Sequence, residues 1–99
     1  MALATSTVAW AREDVTFNLY NETSVNLVEL YISPSNIDYW EEDILGNSVV
    51  RAGQAVSVTI ADGRETCIYD IQGVFADNDI VEDYQIDICQ LESYSFIEE

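Results

Sequence analysis

CIYDIQGVFADNDIVEDYQIDIC, running from Cys67 to Cys89, decides the fold. From Cys67 to Phe75, the residues Cys67, Tyr69 and Ile71 oppose Ile68, Asp70 and Gln72, the period-two alternation of a strand with one buried face. ADNDIVED, residues 76–83, reads as a loop of turn-forming and charged residues. Beyond it, Tyr84, Ile86 and Ile88 alternate with Gln85, Asp87 and Cys89 in a last core strand. Asp70, between two apolar neighbours, is expected to point inward and serve structure.

Working outward, Val56, Val58 and Ile60 alternate ahead of Ala61-Asp62-Gly63-Arg64. The Asp-Gly pair is a hairpin signal, so this strand is expected to pair with Cys67–Phe75. Nearer the N-terminus, Val15, Phe17 and Leu19 precede the turn-forming Asn21-Glu22-Thr23-Ser24 and a second alternating run from Val25 to Ile32, which predicts another hairpin. Ser33-Pro34-Ser35-Asn36 breaks that run, and Ser35 or Asn36 can cap a helix by accepting N–H groups of its first turn. In IDYWEEDILG, residues 37–46, Ile37, Trp40 and Ile44 recur at helical spacing and Gly46-Asn47 supplies a stop, so one short helix is expected. The tail carries Tyr94, Phe96 and Ile97 as an edge strand. Trp10, Trp40 and the six tyrosines are expected in the core and on sheet faces. The whole predicts a mainly β domain spanning residues 1–99, a small antiparallel β sandwich or open barrel of five to six strands with one short inserted helix.

A chain of 99 residues can bury about two thirds of the surface its unfolded form exposes, enough to fold without metals or disulfides. Charge is the unusual quantity: 19 Asp and Glu against three Arg, with no Lys or His, give a formal net charge of −16. Such an excess opposes compaction by self-repulsion, so salt, a bound cation or a basic partner is expected to relieve it. DNA and anionic membranes, which bind through Lys and Arg, are excluded as partners. The start MALATSTVAWARED lacks a positive n-region, and no window approaches the roughly 20 apolar residues of a membrane span, so a cytoplasmic monomer is expected. Cys67 and Cys89 have no Cys or His at zinc-ligand spacing. Buried free thiols are the expected state in a reducing cytosol, with a disulfide between adjacent strands as the alternative.

Two acidic clusters are the candidate functional residues. Asp38, Glu41, Glu42 and Asp43 would share a helical surface opposite Ile37, Trp40 and Ile44, with no Lys or Arg near them in sequence. Carboxylates about 6 Å apart repel by roughly 0.7 kcal/mol in bulk water and several times that at lower effective dielectric, repulsion that a divalent cation converts into affinity. A solvated acidic face, favoured by a helix N-terminus, would need no ligand. Asp77, Asp79, Glu82 and Asp83, with Asn78 as a further oxygen donor, suit calcium, which takes six to eight oxygens, and not zinc or copper. An EF-hand is excluded, because counting from Asp77 places Glu82 where Gly is required and Ile88 where Glu is required. A solvated turn is the alternative here as well. Asp62 and Glu65 rank lower, since Arg64 can neutralise either.

The segment YISPSNIDYWEEDILG, the TCIYDI strand and the IDIC strand, together with length and charge, resemble the small acidic calcium-binding protein family of filamentous cyanobacteria, the CcbP family. That resemblance implies calcium sequestration through two acidic sites and a role in calcium-dependent signalling. It carries over to Asp38, Glu41, Glu42 and Asp43; the second cluster rests on its chemistry alone. Catalysis is disfavoured by the lack of His, Lys and any glycine-rich phosphate loop. The rival to calcium is an acidic interaction protein that mimics a polyanion and blocks a basic surface of a partner. It would spread its charge along one face, whereas calcium binding would converge it into pockets.

Overall fold

A computed structural model describes residues 13–98. The readings of the N-terminal segment and of Trp10 as a core residue lie outside the described residues. Six strands form: β1 (Val15–Glu22), β2 (Leu27–Pro34), β3 (Ala55–Ile60), β4 (Ile68–Phe75), β5 (Ile80–Asp87) and β6 (Ser93–Ile97). They make two three-stranded sheets, ordered β3-β1-β6 and β2-β4-β5. Phe17, Leu19, Val58, Ile60 and Phe96 of the first sheet pack on Leu27, Leu30, Ile32, Tyr69, Ile71 and Phe75 of the second in one core. Gly73 is buried against this core. A Cβ built there would stand 2.7 Å from the Phe96 ring and 3.0 Å from Leu27, so the absent side chain lets Phe96 seat directly on the β4 backbone.

The mainly β sandwich stands as expected, but its connections differ. Neither predicted hairpin forms. β1 pairs with β3 and with the tail strand β6, while β2 pairs with β4. The chain crosses between sheets after β1 because Asn21 is buried where a turn was expected. Its amide donates to the carbonyls of Val25 and Val50, and its Oδ1 accepts from the Thr23 hydroxyl. A fully hydrogen-bonded buried amide stabilises an arch linking sheets. The Asp62-Gly63 turn likewise leads from β3 in one sheet to β4 in the other, and the tail strand β6 pairs parallel to β1 at a sheet edge.

The actual hairpin is β4–β5, turning at Ala76–Asp79 with Asn78 at φ 70°. Ile80 to Asp83, read as loop, therefore begins β5. A shift in register between Tyr69 and Ile71 sets Tyr84 and Gln85 together against Asp70, a β-bulge in which Gln85 adopts φ 56°. The bulge is why Tyr84 is exposed on the outer face while Ile88 is buried.

The expected helix over residues 37–46 is absent; among the described residues the one helical turn is 3₁₀, Ile88–Gln90. Side chains satisfy this segment's backbone instead. Ser33 Oγ accepts the Glu41 N–H at 2.9 Å, Asp43 Oδ1 accepts from Leu30 and Leu45 at 2.9 and 3.0 Å, and Ile44 N–H donates to the Leu30 carbonyl. A ten-residue helix with four carboxylates and no internal cation has too little propensity to compete with these bonds. Ser35, expected as a cap, donates to Asp70.

Cys67 and Cys89 are not free thiols. Antiparallel pairing of Ile68 with Asp87 brings them across from each other, Cα to Cα 5.4 Å, and they form a disulfide. No helix among the described residues is long and apolar enough to cross a membrane.

Candidate functional site

The structure disperses the first acidic cluster. Asp43 is committed to backbone N–H groups, as above. Glu41 forms a forked ion pair with Arg64 at 2.7 and 2.9 Å, a cation distant in sequence but not in space. The Arg64 hydrogen bonds hold the Glu41 carboxyl below its ordinary value, and Asp62 stands 3.5 Å from the same guanidinium. Glu42 is exposed on this side, near β3. Asp38, also exposed, borders a different depression on the outer face of the β2-β4-β5 sheet.

The second cluster divides by strand alternation. Asp77 Oδ1 accepts the Asp79 N–H and closes the β4–β5 turn. Glu82 points to the outer face, where it accepts from Gln72 at 2.6 Å and from the Tyr84 hydroxyl at 2.7 Å. Asp83 points the other way and accepts from Tyr94 of β6 at 3.2 Å, bridging the sheets at their β5 and β6 edges. Burial, then the Asp83 charge and hydrogen bond, push the Tyr94 hydroxyl far above its ordinary value. Asp79 and Asp83 line a groove between these edges together with Glu98, which the sequence did not single out. Among the described residues, no arginine lines the groove. Glu98 accepts from Ser24 at 2.8 Å.

Among the described residues, the one set of three metal-ligating side chains with donor atoms within 4.8 Å of one another is Cys67, Asp87 and Cys89. Both sulfurs there are joined to each other. The groove carboxylates border one space but stand farther apart than this.

The depression beside Asp38 joins residues far apart in the sequence. It holds about 300 Å³ and is lined by Ser33, Ser35, Asp38, Asp70 and the rings of Tyr39, Trp40 and Tyr84. Asp70 is not inward-pointing: it lies on the outer face, where its Oδ1 accepts from Ser35 Oγ at 2.6 Å and from the bulged Gln85 N–H at 3.0 Å. Trp40 leans on Tyr31, ring centroids 6.4 Å apart. Tyr31 is itself anchored by donating to Glu29, a bond that, with burial, pushes its hydroxyl up to about 12. The one sequence signal for this site was an aspartate inside an apolar strand opposite a Tyr-Gln pair, and only the bulge makes those residues neighbours.

No protein-family model, curated protein or solved structure matches this chain. The resemblance to the cyanobacterial calcium-binding family therefore rests on the quoted segments alone.

Proposed function

We propose that this protein binds calcium and that the groove between the β5 and β6 edges is the site. One observation carries the reading. Asp79 in the β4–β5 turn, Asp83 on β5 and Glu98 just past β6 line a single groove in which, among the described residues, no cationic side chain stands. Calcium accepts flexible sets of carboxylate, carbonyl and water oxygens at roughly 2.4 Å, so exposed edge strands can complete what three carboxylates begin. Binding would draw the carboxylates inward, Asp83 exchanging the Tyr94 hydroxyl for the ion. The ion would also offset part of the net charge of −16 and stabilise the fold by mass action.

Calorimetric titration of the full chain with calcium, in excess magnesium and at about 0.1 M salt to screen diffuse attraction, tests this. Saturable heat with whole-number stoichiometry is expected. Replacing Asp79 and Asp83 with Asn should weaken binding at least about tenfold, because calcium affinity follows the count of charged ligands. Unchanged affinity in that variant removes the groove, and no heat above the magnesium background removes calcium.

A second reading, an acidic module that covers a basic surface of a partner protein, is favoured by the aromatic depression in which Asp38 and Asp70 stand. The disulfide bears on location. Structural disulfides persist in oxidising compartments, so the Cys67–Cys89 bond supports such a setting over the cytoplasm expected from the chain's start.

A further inference from the structure

We propose that the depression formed by Asp38, Tyr39, Trp40, Asp70 and Tyr84 is a receptor for an arginine side chain on a basic segment of a partner protein. The inference rests on the second reading above and gives it a location.

Two kinds of group meet here that individually bind cations. Asp38 is an exposed carboxylate, and Asp70 spends both its hydrogen bonds on Oδ1, leaving Oδ2 to accept from a ligand. Around them stand three aromatic rings. Tyr39 and Tyr84 are 66% and 56% exposed, so burial in the core does not explain their placement. An aromatic face attracts a cation through its quadrupole. A guanidinium is planar and weakly hydrated; it stacks on rings while its N–H fork reaches a carboxylate, which a compact, strongly hydrated ammonium does less well. A calcium ion would gain nothing from the rings. Among the described residues no arginine lines the depression, and Arg64 is held by Glu41 elsewhere. At −16 overall, the chain attracts a basic segment from beyond contact distance and resists an acidic one.

The fold holds this arrangement in place at some conformational expense. Gln85 adopts φ 56°, a region sparsely populated by residues other than glycine, asparagine and aspartate. Asp70 stabilises it by accepting the Gln85 N–H, and the resulting bulge sets Tyr84 beside Asp70. Trp40 leans on Tyr31, whose hydroxyl in turn donates to Glu29. Bulges of this kind re-aim side chains next to binding sites.

The test uses the full oxidised chain and a fluorescein-labelled peptide of alternating Arg and Ser, followed by anisotropy at about 0.15 M salt, where the Debye length is about 8 Å. The same peptide with Lys for Arg measures the preference for guanidinium. Asp38→Asn removes one carboxylate and Tyr84→Ala one ring, both at exposed positions. Glu22→Gln, on the outside of the opposite sheet, is the control for lost charge alone. The expected result is a loss of about fivefold or more in each depression variant, less than about twofold in Glu22→Gln, and weaker binding of the Lys peptide. Equal affinities for wild type and all three variants would overturn the depression as the site while leaving a diffuse polyanion surface. No binding of the Arg peptide by the wild-type chain would overturn both the depression and the basic-partner reading.

Discussion

Reducing the Cys67–Cys89 disulfide should destabilise the protein by about 3 kcal/mol. The bridge joins residues 22 apart, and closing a loop of that length removes roughly 11 cal/mol/K of entropy from the unfolded chain, hence about 3 kcal/mol at 25 °C. The native state should change little. Ile88 N–H still donates to the Cys67 carbonyl, and Ile68 still pairs with Asp87, so the effect belongs mainly to the unfolded ensemble. Small domains hold only about 5–15 kcal/mol in total, and the reduced protein should remain folded but marginal. The assay is urea unfolding followed by far-UV circular dichroism, with and without a phosphine reductant. For a slope of about 1.5 kcal/mol/M the midpoint should fall by about 2 M. A thiol count in urea without reductant should find none. Two titrating thiols in unreduced protein, or a midpoint that reductant leaves in place, would refute the reasoning.

Gly73→Ala should cost about 1–3 kcal/mol through overpacking, because its Cβ would stand 2.7 Å from the Phe96 ring. Adding Phe96→Leu should cost less in that background than in wild type, a non-additivity measurable by the same urea titrations. Tyr94 predicts a dependence on alkaline pH. Its folded-state value is raised above the ordinary 10.0, first by burial and then by Asp83, so its contribution is fully present below pH 10 and is lost as pH rises beyond it. Melting curves from pH 8 to 11 should show a decline that Tyr94→Phe reduces, and identical declines would exclude Tyr94 as its source.

Much of the strand content was legible because alternation is a local signal. Phe17 and Leu19, Val58 and Ile60, and Tyr69 and Ile71 face the core as their spacing implies. Pairing was not legible. Asn21-Glu22-Thr23-Ser24 has turn composition, yet Asn21 becomes a buried arch residue through bonds to Val25 and Val50. The helical spacing of Ile37, Trp40 and Ile44 was genuine but weaker than the bonds Ser33 and Asp43 make to the same backbone. Of the eight candidate carboxylates, Asp79 and Asp83 share a groove and Asp38 borders the aromatic depression. Glu41 and Asp43 are taken by Arg64 and by backbone N–H groups. Clustering in sequence translated only in part into clustering in space, because alternation sends Glu82 and Asp83 to opposite faces.

By itself, the sequence determined that this is a β-rich, histidine-free polyanion, because residue types and a two-residue period suffice for that. Only the tertiary structure decided which strands pair, that the cysteines join, that Arg64 meets Glu41, and that Asp70 and Tyr84 stand beside Asp38 and Trp40. Each of these relations links residues distant along the chain, and the competition that selects among them takes place in the packed core and at the sheet edges.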